Sequence, residues 1–159
     1  MTSHLYLLIL SGHTVVMDSK DKRSGTVVAP AAFFSRTFDE ALALTREARD
    51  YLRDYGEEDS QDLALEIAAH FSVETMRLTS RLTNMMAWLL VQQAVHQGEL
   101  SREEVREDNW RLGGAAVCLD EGELDPDLLP PYLSDLLRRS ERLYRRIARL
   151  DSMVANEAV

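Results

Sequence analysis

The sequence predicts an all-α fold: a three-helix bundle with one long central helix and a short accessory helix. Three observations predict it. Apolar residues recur at spacings of three and four in three long stretches, the period of one helix face. Each stretch is bounded by residues that start or stop helices: Thr37 before the first, Gly98 after the second, and Pro130 and Pro131 before the third. The 159 residues, 45% hydrophobic and 28% charged, are enough to bury one core and favour a single domain.

Composition narrows the function classes. A net charge of -9 disfavours a protein that coats nucleic acid or an anionic membrane with its whole surface. The single cysteine, Cys118, excludes an intramolecular disulfide framework and a multi-cysteine zinc site.

Residues 1–34 have weak helical periodicity and are expected to form a weakly structured arm. Leu5 to Leu10 (LYLLIL) is apolar but far shorter than the roughly 18 residues of a membrane span. It is also a poor signal peptide, because no Lys or Arg precedes it and Ser-Gly-His follows. A cytoplasmic protein without membrane insertion is therefore expected. From Met17 the chain reads MDSKDKRSGTVVAP, a polar beginning, so Met17 is a second candidate start beside Met1.

The folded domain is expected over residues 35–154. Its first helix should begin at Thr37, where Thr37-Phe38-Asp39-Glu40 fits a capping box. Phe38, Ala41, Leu42, Thr45, Ala48, Leu52 and Tyr55 form its apolar face, and Asp39, Arg46, Glu47, Arg49, Asp50 and Arg53 occupy the others. Gly56 is the expected stop.

The second helix should run from about Asp62 to Gln97, roughly 50 Å long. Its stripe is Ile67, Phe71, Thr75, Leu78, Leu82, Met85 and Leu89, with Glu66, His70, Glu74, Arg77 and Arg81 off it. From Met85 to Val91 the helix is apolar all round, which calls for cover on more than one side. Met86, Trp88, Leu90 and Val91 are therefore the candidate interface of a homodimer, the commonest oligomer being a two-fold dimer.

Residues 99–127 form the connection. A capping box at Ser101 and Glu104 predicts the short accessory helix, to about Asp108. Gly113-Gly114 and Asp120-Glu121-Gly122 break regular structure, and Leu112 with Ala115 to Leu119 should pack back on the bundle. Pro130-Pro131 place the start of the last helix. Leu133, Leu136, Ser140, Leu143, Ile147, Leu150 and Val154 then repeat as a heptad seam, compatible with antiparallel packing. Residues 155–159 are expected to be a disordered tail.

No constellation of chemistry emerges. His4, His13, His70 and His96 form no i, i+4 metal set. Cys118 lies in an apolar run with no base nominated beside it and reads as a small buried hydrophobe. Glu57-Glu58, Glu103-Glu104 and Asp120-Glu121 read as solvated turns and helix starts. No glycine-rich phosphate loop is present. The sequence thus nominates no catalytic residue, no metal and no cofactor, and a non-enzymatic protein is expected.

Charge distribution is more informative. Residues 132–154 carry six arginines against Asp135, Glu141 and Asp151, a sum of +3, whereas residues 99–127 sum to -7. One reading is that the two regions neutralise each other or are simply solvated. The other is docking, with Arg138, Arg139, Arg142, Arg145, Arg146 and Arg149 receiving an acidic protein partner, a role suited to the planar guanidinium fork.

Glu74 to Gly98 (ETMRLTSRLTNMMAWLLVQQAVHQG), Arg111 to Leu119 (RLGGAAVCL) and Leu129 to Asp151 (LPPYLSDLLRRSERLYRRIARLD) together resemble the alphaproteobacterial regulator of CtrA degradation, the RcdA-like family, also called DUF1465. The likeness covers roughly residues 33–152, and MRLTSRL followed by AWLL, with SERLYRRIARLD, are its most specific pieces. The resemblance implies a dimeric three-helix bundle that works as a non-enzymatic adaptor of the ClpXP protease in cell-cycle-linked proteolysis. It implies as partners ClpX with a CpdR-like priming factor, cargo proteins and a PopA-like further adaptor, and an association with the cell pole. It carries over no catalytic residues. Two other readings stand beside it: a small nucleic-acid-binding regulator, disfavoured by the overall acidity and by the lack of a recognition-helix arrangement, and a plain helical dimerisation module.

Overall fold

A computed structural model of the chain describes residues 31–120 and 125–156. The expected N-terminal arm up to residue 30, with Met17, His4 and His13, lies outside the described residues, as do Glu121, Gly122 and the last three residues of the tail. The described chain is built on three long helices, α1 (Ala31–Asp54), α3 (Leu65–His96) and α5 (Pro131–Asn156). Two short ones, α2 (Gly56–Gln61) and α4 (Ala115–Cys118), lie between them.

The boundaries show which local signals prevailed. α1 starts at Ala31, so residues 31–34 belong to the helix and not to an arm. Thr37 is buried inside it and donates from Oγ1 to the Phe33 carbonyl at 3.0 Å, so it does not cap. The early start has a tertiary cause: the Phe34 ring packs on Trp88 and His96, with centroids 6.2 and 4.9 Å apart. Gly56 does not end α1 in a left-handed turn; it opens α2, whose first turn holds Glu57, Glu58 and Asp59 against the positive helix end. Tyr51 OH donates to Asp59 at 2.6 Å and ties α2 back onto α1.

α3 ends where expected. Gly98 takes φ +74°, and the Gly98 and Glu99 amides close on the Val95 and Ala94 carbonyls at 3.1 and 2.9 Å. In the connection the Ser101 and Glu104 capping box forms, with reciprocal bonds of 2.8 and 3.1 Å. Two separate 3-10 turns, Glu104–Arg106 and Asp108–Trp110, follow it in place of the continuous accessory helix expected there. A capping box satisfies the first amides but supplies no apolar face to hold further turns. The regular piece of the connection is α4, entered through Gly114 at φ +81°.

The α5 seam lies in the core: Leu133, Leu136, Ser140, Leu143, Ile147 and Leu150 are buried, and Val154 packs at its edge. Full burial of each such aliphatic side chain stabilises by about 1.5–3 kcal/mol. Ala41, Leu44 and Ala48 from α1 and Leu78, Leu82, Met85 and Leu89 from α3 complete this core.

The direction of α5 differs from the simplest expectation. Arg146 pairs with Glu40 and Arg139 with Glu47, so α5 runs antiparallel to α1. Arg81 reaches the Leu137 carbonyl and Trp88 reaches Asp151, so α5 runs parallel to α3. The connection makes this possible by returning along α3: Arg111 bonds Asp151, the Cys118 carbonyl meets Arg81, and Asp120 meets Arg77.

Candidate functional site

The helix register divides the α5 arginines into two rows. Arg139 and Arg146, one heptad apart, face α1. Arg139 donates from both terminal nitrogens to Glu47 at 2.8 and 2.7 Å, and Tyr132 OH donates to the same carboxylate at 2.9 Å. The Arg139 hydrogen bond holds the Glu47 carboxyl below its usual range, against the opposing effect of burial. Arg146 bonds Glu40. These two arginines bind the bundle together.

Arg138, Arg142, Arg145 and Arg149 follow at spacings of four, three and four and point outward, all exposed. Arg145 donates to Glu141 at 2.8 Å, and Arg138 sits 3.9 Å from Asp135. Such exposed pairs within one helix are weak and exchange readily. Among the described residues, Arg142 and Arg149 have no ion-pair partner. Asp120 of the acidic connection pairs with Arg77 of α3.

α3 is organised differently. Between Thr75 and Gln97 its only Asp, Glu, Lys or Arg side chains are Arg77 and Arg81, and both are buried. The sequence placed them off the core stripe with the solvated residues; the structure lays the connection over them. Arg77 bonds Glu74, Asp120 at 2.8 Å and the Val117 carbonyl at 3.2 Å. Arg81 donates to the Cys118 carbonyl at 2.7 Å and the Leu137 carbonyl at 3.2 Å, with Glu141 at 3.8 Å. Burial lowers the Arg81 pKa and nearby Glu141 opposes that effect. The two guanidiniums thus fasten α4 and the start of α5 to the long helix.

With both arginines covered, the outer face of α3 is uncharged from Val73 onward. Val73, Met76, Ser80, Thr83, Ala87, Leu90 and Ala94 repeat along it at three and four, with Val73, Met76, Thr83, Ala87 and Leu90 exposed. Of the four residues expected at a dimer interface, Leu90 is 52% exposed and lies on this face. Met86 and Val91 are half-buried. Trp88 is enclosed within its own protomer, where Nε1 donates to Asp151 at 2.8 Å, so its apolar surroundings come from the bundle itself. In the sequence, Leu82 to Gln97 holds no Asp, Glu, Lys or Arg, a stretch longer than the apolar run from Met85 to Val91.

Cys118 and Tyr144 lie in the packing between the connection and the bundle. Cys118 is fully buried, and burial raises its thiol pKa, which opposes thiolate formation. Tyr144 is pushed up to about 12, chiefly by burial, and donates to the Gly113 carbonyl at 2.6 Å. Among the described residues no group of three His, Cys, Asp or Glu side chains is arranged to hold a metal ion. No described helix is long and apolar enough to cross a membrane.

The sequence profile of the family described as "Protein of unknown function (DUF1465)" matches residues 26–159. Among solved structures, the crystal structure of RcdA from Caulobacter crescentus CB15 is similar, with a TM-score of 0.64 and 37% sequence identity. That match covers 77% of this chain and 91% of the RcdA chain. No curated protein matches.

Proposed function

The chain belongs to the DUF1465 family, and on that premise we propose that it is a non-enzymatic adaptor in regulated, cell-cycle-linked proteolysis. It tethers cargo, or a further PopA-like adaptor, to ClpXP primed by a CpdR-like factor. The similarity to RcdA at 37% identity is the observation that carries the reading. A tether does no chemistry; it raises the local concentration of cargo at the protease and needs separate, reversible contact faces. The outward row of Arg138, Arg142, Arg145 and Arg149 supports one such face, toward an acidic partner, because its charges are exposed and weakly engaged.

The adaptor is a homodimer in this reading, joined through the outer face of α3. A heptad-spaced, uncharged and exposed stripe on a helix is suited to pack against its two-fold mate. Ala87→Glu with Leu90→Glu should give monomers in sedimentation equilibrium while the circular dichroism spectrum stays unchanged. A wild-type chain that sediments as a monomer at micromolar concentration removes this part.

The decisive experiment is reconstituted degradation with ClpXP, the priming factor and a candidate cargo, with and without the chain. Faster cargo loss only when the chain is present supports the adaptor role, and equal rates overturn it. Arg138→Glu with Arg142→Glu and Arg145→Glu should weaken partner binding while helicity is kept; unchanged binding removes the arginine row from the reading.

A further inference from the structure

A cleft of about 770 Å³ opens where the end of α1, α2 and the start of α5 meet. Its volume lies within the range of side-chain and small-ligand sites. Tyrosines make the walls. Tyr51 and Tyr132 stack with centroids 5.1 Å apart, and Tyr55 stands beside them 59% exposed. The remaining lining groups are carboxylates, and no Lys or Arg lines the space.

The carboxylates are not equivalent. Glu47 is taken by Arg139, as described above. Asp50 and Asp54 pair with the exposed Arg49 and Arg53 on the surface of α1. Asp59 accepts from Tyr51 OH at 2.6 Å and, among the described residues, has no cationic partner. Exposed Glu57, Glu58 and Asp62 adjoin it on α2 and at its end, so the mouth is acidic.

Tyrosine faces attract cations through the ring quadrupole, and a neighbouring carboxylate adds a charge-assisted hydrogen bond. We propose that this cleft is a docking site for an arginine side chain on a basic peptide segment of a partner protein. Arginine fits better than lysine because its planar guanidinium stacks on a ring while bonding a carboxylate in the same plane. The volume exceeds that of one guanidinium, so residues flanking the arginine are seated as well. The site is opposite in charge to the outward α5 row and is a separate contact face. It stands on the cleft itself and holds whether or not the chain serves a protease.

Fluorescence polarisation of the full chain with a fluorescein-labelled Gly-Ser-Arg-Arg-Ser-Gly peptide tests it. The expected result is saturable binding that weakens as salt rises, and none for the same peptide with citrulline in place of arginine. Asp59→Asn keeps an acceptor for Tyr51 and removes the charge, and Tyr55→Ala removes an exposed ring. Each should weaken binding about fivefold or more. Arg36→Ala, exposed near the start of α1 and away from the cleft, should bind as wild type, and matching thermal melts exclude misfolding. Absent binding, equal binding of the citrulline peptide, or unchanged affinity in both cleft variants overturns the proposal. Binding seen only after Lys20, Lys22 and Arg23 are changed to Ser overturns it too, by assigning the cleft to the chain's own N-terminal segment.

Discussion

α3 and α5 are both long, both line the core, and both carry arginine, yet they treat charge in opposite ways. α5 buries one heptad seam and keeps its arginines outside it, two braced on α1 and four turned outward. α3 buries its core stripe and also an adjacent side, where Arg77 and Arg81 lie under the connection, and leaves an exposed face without charge. The difference teaches that a helix's own pattern locates its core seam. Whether the remaining sides meet water depends on what the chain lays over them later.

Substituting one arginine on each helix gives the largest expected contrast. Arg81→Met keeps much of the volume but leaves the Cys118 carbonyl without its side-chain donor and the Leu137 carbonyl with Ser140 Oγ alone of its two, and should cost about 3 kcal/mol in urea unfolding. Arg142→Met should fall within about 0.5 kcal/mol of wild type. Equal losses would break the distinction between a buried and a presented arginine.

Trp88→Phe tests the second buried side of α3 with a smaller change. It removes the hydrogen bond to Asp151, which still accepts from Arg111 at 2.9 Å, and should cost about 1–2 kcal/mol. A neutral result in thermal unfolding would mean that Trp88 contributes only its ring.

The brace between α1 and α5 should be weaker still. A double-mutant cycle on Glu47→Gln and Arg139→Gln at neutral pH should give a coupling of about 0.5–1 kcal/mol, because both groups are about one-third exposed. Glu47 has a depressed pKa in the folded state. Its contribution is therefore present above its ordinary value of 4.5 and is lost as pH falls through the lower folded value. Repeating the cycle near pH 3 should shrink the coupling, and a coupling independent of pH would show that charge is not its source.

Much of the fold was legible because its signals are local. The α5 seam, the stop at Gly98 and the start at Pro131 each depend on residues within a turn or two. Thr37 and Gly56 misled for the complementary reason: a cap motif competes with packing, and Phe34 on Trp88 held the earlier turns in the helix. Of the site, the sequence picked out the six α5 arginines but not their division into brace and outward row. That division needs the position of Glu40 and Glu47 on a helix about a hundred residues away. The tyrosine cleft was hidden likewise, since Tyr51 comes from α1, Tyr55 from the turn between α1 and α2, and Tyr132 from α5.

By itself, then, the sequence determined that three long helices form, roughly where they begin and end, and which stripes carry their core. Those properties follow from backbone conformation and from the period of apolar side chains along one helix. Tertiary structure alone decided that α5 runs parallel to α3, that Arg77, Arg81 and Trp88 are buried, and that an uncharged face and an acidic aromatic cleft are left open. Each of these depends on the path of the connection and on which helices meet, and contacts between residues distant in sequence settle that path.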